Sequence, residues 1–186
     1  MKSQQILKLL KHYKLVDDTT TLPDDWREYL FERDEAAAIS ELLDYFIEDK
    51  AVYYGDMAEG PGGGEYVDLA DPFIDIIEQY ITASSGAIKI ENLQAIEPDN
   101  EYDPDEKVII KFDHQGNHYE WAFDFEEPDE FYREVTNWAD KALDGNVLFI
   151  GDEDFTAYCL PKAFINDLGD MGFSLKDSKD YFIETD

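Results

Sequence analysis

The stretch KVIIKFDHQGNHYEWAFDF (residues 107–125), EEPDEFYREVTNWADKALDG (126–145) and NVLFIGDEDFTAYCLPKAFINDL (146–168) decides the fold. Val108, Ile110 and Phe112 alternate with Lys111 and Asp113. Tyr119, Trp121, Phe123 and Phe125 alternate with Glu120 and Asp124. A period of two with one apolar face describes a strand half in water, and His114-Gln115-Gly116-Asn117 between the runs makes them a hairpin. Pro128 then opens a helix with Phe131, Val135, Trp138 and Ala142 along one side, and Asp144-Gly145 ends it. Val147–Ile150 and Phe155–Leu160 form a second hairpin across Gly151-Asp152-Glu153-Asp154, followed by a short helix from Lys162 to Leu168. Two hairpins about a helix predict an α+β class: an antiparallel sheet of two hairpins plus an additional strand, with helices on one face.

Upstream, Asp71-Pro72 marks a helix start, with Asp71 as the expected N-cap. Phe73, Ile76, Ile77, Tyr80 and Ile81 keep helical spacing until Ser84-Ser85-Gly86. AIKIENLQAI (87–96) alternates enough to supply the additional strand. Helical patterns also cover residues 3–15 and 34–47, giving a helical N-terminal segment. The expected organisation is one domain over 1–186: a helical part over 1–50, a glycine-rich connector over 51–70, a sheet-and-helix core over 71–168 and a tail over 169–186.

The chain carries 45 acidic and 15 basic residues, a formal net charge of −30. Such a charge suits disorder, but 44% hydrophobic and 15% aromatic residues supply a core. Lys2, Lys8, Lys11 and Lys14 fall in an acid-free opening. The basic helix they lie on is expected to dock on the chain's own acidic body rather than on a membrane. The remainder repels nucleic acid and anionic membranes and attracts basic proteins. No apolar run reaches the ~20 residues of a membrane span. The opening residues lack a secretory signal pattern, so a cytoplasmic location is expected.

Residues that could carry chemistry fail their tests one by one. The glycines of GPGGG (60–64) lead into Glu65-Tyr66-Val67-Asp68, where a phosphate loop needs Lys and Ser or Thr. His114 and His118 are four apart but bracket a turn, so they are expected to be two exposed turn histidines and not a metal pair. Asp99 to Glu106 resembles half of a calcium loop, but the glycine and the closing glutamate are replaced by Pro104 and Ile110. Cys159 is the single cysteine and sits in an acidic, apolar run, the setting of a buried structural thiol. No Gly-x-Ser-x-Gly or His-Glu-x-x-His motif occurs. The expectation is a protein that is not an enzyme and uses no cofactor or metal.

Three acid clusters remain, at the ends of strands and helices. They are Asp99, Glu101, Asp103, Asp105 and Glu106; Glu126, Glu127, Asp129 and Glu130; and Asp152, Glu153 and Asp154. Together with the net charge they are the expected contacts of a basic protein partner. Over residues 70–168 the order of an SSG turn, a strand, an acidic loop, KVIIKFDHQGNHYEWAFDF, EFYREVTNWADKAL, a strand–turn–strand and LPKAFINDL resembles small cytoplasmic immunity proteins of bacterial polymorphic-toxin and contact-dependent inhibition systems. That resemblance implies tight binding of one cognate toxin, often a basic nuclease, without catalysis. An alternative expectation is a DNA mimic whose carboxylates stand in for phosphates and block a DNA-binding protein.

Overall fold

The computed structural model describes residues 1–54, 70–97, 107–123, 129–150 and 156–173. The described residues form an α+β fold with six α-helices and two three-stranded antiparallel sheets. In chain order the elements are α1 (Lys2–His12), α2 (Leu30–Arg33), α3 (Glu35–Ile47), a single 3-10 turn (Glu48–Lys50), β1 (Ala51–Tyr53), α4 (Asp71–Ala83) and β2 (Ile90–Ile96). Then come β3 (Val108–His114), β4 (Asn117–Phe123), α5 (Asp129–Ala142), β5 (Val147–Ile150), β6 (Thr156–Cys159) and α6 (Lys162–Asp170).

The first hairpin and the additional strand make one sheet, in the order β2-β3-β4. His114 pairs with Asn117, so the connection is the two residues Gln115 and Gly116, with φ of +50° and +79°. Two consecutive positive φ values follow the right-handed strand twist, and glycine takes the second of them without strain. Edge strand β2 slips register between Glu91 and Gln94, where Asn92 has φ +55°. The Asn92 Nδ2 amide donates to Asp113 Oδ2 at 2.6 Å, tying the bulge to the neighbouring strand.

The second hairpin belongs to a separate sheet, in the order β1-β6-β5. Residues 51–53, expected as the start of a connector, supply its third strand. This sheet is covered on both faces. Val52, Ala157 and Phe149 enter one apolar core, while Ala51, Tyr158, Leu148 and Ile150 enter another. That is why VLFI and TAYC read as unbroken apolar runs, without the alternation of β3 and β4.

Helices α4 and α5 fill the space between the two sheets. Phe131 meets Phe73 at 4.8 Å and Phe123 at 5.0 Å between ring centroids, while Tyr132 meets Tyr54 at 5.1 Å. Tyr54 also spans the layer by hydrogen bonds, its hydroxyl lying 2.5 Å from that of Tyr80 and 2.7 Å from Thr136 Oγ1. The second core is closed by α1, α3 and α6. The basic N-terminal helix therefore docks at home, through buried Ile6, Leu7 and Leu10. A Lys2–Glu35 ion pair and a Tyr13 hydroxyl donating to Asp167 Oδ2 at 2.7 Å hold its two ends.

Helix starts follow the residues only in part. Asp34 caps α3, its Oδ1 accepting the Ala37 N–H at 3.1 Å. Asp71, the expected cap of α4, is instead its first residue, with Ala70 at the N-cap. The carboxylate still lies where the helix dipole favours an anion. Asp34→Ala removes the α3 cap and is expected to cost ~1 kcal/mol, read as a lower urea midpoint with an unchanged slope.

Candidate partner-binding site

Apolar spacing on α4 turns Phe73, Ile76, Ile77 and Tyr80 inward and leaves Asp75 and Glu78 exposed. On the neighbouring segment α3 ends at Ile47, and the 3-10 turn that follows exposes Glu48 and Asp49. Edge strand β1 brings these two segments together, because its Tyr53 N–H donates to Gln79 Oε1 at 2.8 Å. The result is a cleft of about 340 Å3 lined by Glu48, Asp49, Asp75 and Glu78, with Gln79 and Thr82. No cation lines it among the described residues. Lys50 stands at its border, bonded to Ser85 and 3.2 Å from Asp49 Oδ2.

Two exposed tyrosines lie on the segments that lead into and out of the 3-10 turn. Tyr53 is 38% exposed and Tyr45 62% exposed. Both the Tyr53 and the Tyr158 hydroxyls donate to Asp44 Oδ1, at 3.0 and 2.7 Å. Partial burial and then the Asp44 carboxylate push the Tyr53 phenol up, so it stays a neutral donor at physiological pH. Tyr53 is thus held in place by its own hydrogen bonds and keeps an exposed ring near Asp44 and the cleft's Glu48. Tyrosine is among the residues enriched at the hot spots of protein interfaces.

Of the residues expected to meet a partner, Asp99, Glu101, Asp103, Asp105, Glu106, Glu126, Glu127, Asp152, Glu153 and Asp154 lie outside the described residues. Asp129 opens α5, and Glu130 is exposed on its first turn. The cleft carboxylates were not among the expected contacts. Their signal was present in the acidic pair that follows α3 and in the polar face of α4, but only tertiary pairing through β1 makes them neighbours.

One expectation about the histidines is corrected. His114 is no turn residue: it is the last residue of β3, only 4% exposed, with Nδ1 2.9 Å from the Lys89 carbonyl oxygen. His118 is exposed and contacts Asp113 Oδ1 at 2.9 Å through Nδ1. Register places the two rings on opposite faces of the sheet, because His114 pairs with Asn117 and His118 with Asp113. Hydrogen bonds from Asn92, and then from His118, hold the Asp113 carboxyl below the usual carboxylate range.

Burial pushes the Cys159 thiol up to about 12, far from the range of a nucleophilic thiolate. Among the described residues, no group of three or more His, Cys, Asp or Glu is placed to hold a metal ion, and no helix is long and apolar enough to cross a membrane. No family model, curated protein or solved structure matches this chain.

Proposed function

We propose that this chain is a non-enzymatic acidic binding protein, an immunity protein that neutralises a basic toxin domain in the cytoplasm by covering its substrate groove. The observation that carries the reading is the cleft of four exposed carboxylates beside an anchored tyrosine, in a chain of net charge −30. A toxin that acts on nucleic acid keeps a groove of Lys and Arg for phosphate. A rigid surface of carboxylates competes for the same side chains without offering a bond to cleave. Long-range attraction speeds encounter, and the effect weakens as salt shortens the Debye length to ~8 Å at physiological ionic strength.

Growth rescue is the direct test. Cells expressing a toxic basic domain encoded beside this gene are expected to survive when the chain is co-expressed, and to die when an unrelated acidic protein replaces it. Survival must follow one domain only. If the chain instead protects against several unrelated DNA-binding proteins, and duplex DNA competes with it for each of them, it acts as a DNA mimic. If no neighbouring domain is toxic, or toxicity persists on co-expression, the immunity reading is lost.

A further inference from the structure

A second concavity lies on the other sheet, between edge strand β4 and helix α5. Its volume is about 320 Å3. Asn117, Tyr119 and Trp121, every second residue of β4, form one wall. Glu134, Asn137, Trp138 and Lys141, spaced as one helix face, form the other. Phe112 supports the aromatic wall from below, with ring centroids 5.0 Å from Tyr119, 4.8 Å from Trp121 and 5.1 Å from Trp138.

Two buried ring nitrogens belong to residues of this groove and have no hydrogen-bond partner among the described residues: His114 Nε2 and Trp138 Nε1. A carbonyl oxygen can only accept, so His114 Nδ1 carries the proton in its 2.9 Å contact with Lys89, and in that tautomer Nε2 is an acceptor. Trp138 Nε1 can only donate. An occupant that satisfies both brings one donor and one acceptor, which a polypeptide offers at every residue.

Strand β4 is the free edge of its sheet, with β3 as its one strand neighbour among the described residues. An edge strand beside a helix, with a groove between them, is the arrangement in which an extended peptide adds itself to a sheet. Charge selects the peptide. Glu134 lines the groove, and exposed Glu130 lies one helical turn before it on α5. Lys141 is the only cation of the lining. The walls are electron-rich aromatic rings in a strongly acidic protein, which favours a guanidinium group over a carboxylate.

We propose that this groove receives an extended, arginine-bearing segment of a protein partner, added as a fourth strand along β4 with an arginine side chain over the half-buried Tyr119 and Trp121 rings. The inference concerns a site separate from the acidic cleft and rests on the proposed function only in taking the partner to be basic.

The test is selection of a random-peptide library on the full chain at low salt. Enriched peptides are expected to carry arginine within a run of strand-forming residues. A synthetic peptide of the selected sequence should quench tryptophan fluorescence and shift the backbone amides of β4. Glu134→Lys should weaken its binding by about tenfold or more, and Lys141→Glu should tighten it; both positions are exposed, so the fold survives either change. Recovery of no peptide or of acidic peptides, shifts on β2 in place of β4, or equal binding by the Glu134→Lys variant would each overturn the proposal. Peptide selection needs no toxin, so its failure leaves growth rescue standing. Loss of rescue with peptide binding intact removes the immunity reading and keeps this site.

Discussion

Phe112→Ala is expected to destabilise the fold by about 3–5 kcal/mol, enough to consume most of the stability of an ordinary domain. Phe112 is wholly buried on β3, and three aromatic rings from β4 and α5 lie against it. Removing the ring leaves a void that those large, mutually packed neighbours cannot close without leaving their rotamers. At net charge −30 the compact state repels itself, so parent and variant should both gain stability in added salt while the difference between them stays nearly constant. Urea unfolding followed by tryptophan fluorescence measures it directly, since Trp121 and Trp138 touch the site. Phe112→Leu, which keeps most of the volume, should lose clearly less. Equal loss by both variants would mean that the cavity is not the cause.

That this ring belongs to the core was legible from alternation alone, because β3 has one wet and one dry face. The same logic failed for the other sheet. Leu148 and Phe149 are adjacent and both buried, one on each side of β5. A strand between two cores has no polar face, so its periodicity cannot say which core each side chain enters or that a second sheet exists. Strand β1 was hidden for a different reason. Three residues are too few for a pattern, and Ala51–Tyr53 becomes a strand only because β6 pairs with it.

His114 shows how local turn chemistry misleads by one position. The run HQGN suggests a four-residue connection, yet the positive φ values sit at Gln115 and Gly116 alone. His114 therefore stays in the ladder on the buried face, where the Lys89 carbonyl holds it. The charge of the chain was legible as a bias toward basic partners. Where that charge gathers was not, because Glu48 and Asp75 are distant in sequence and meet only across β1 and α4.

Neutralising the cleft separates a site from a mere excess of charge. The combined change Glu48→Gln, Asp49→Asn, Asp75→Asn and Glu78→Gln is expected to weaken binding of the basic partner by about 30- to 1000-fold, from ~0.5–1 kcal/mol for each exposed ion pair lost. Much of the loss should fall on association, and the salt dependence of the rate should flatten. Stability should hold or rise slightly, because four crowded like charges are removed at the cost of one Asp49–Lys50 pair. A variant that binds worse while folding at least as well cannot be explained by damage to the fold. The matching control neutralises Asp17, Asp18, Asp24 and Asp25, four exposed acids between α1 and α2. Both variants change the net charge by the same amount. If the partner uses the cleft, the control keeps nearly full affinity and loses only a small part of the encounter rate. Equal losses in the two variants, measured by stopped-flow association and by titration, would mean that the partner feels the field of the whole chain and that Glu48, Asp49, Asp75 and Glu78 have no special place in it.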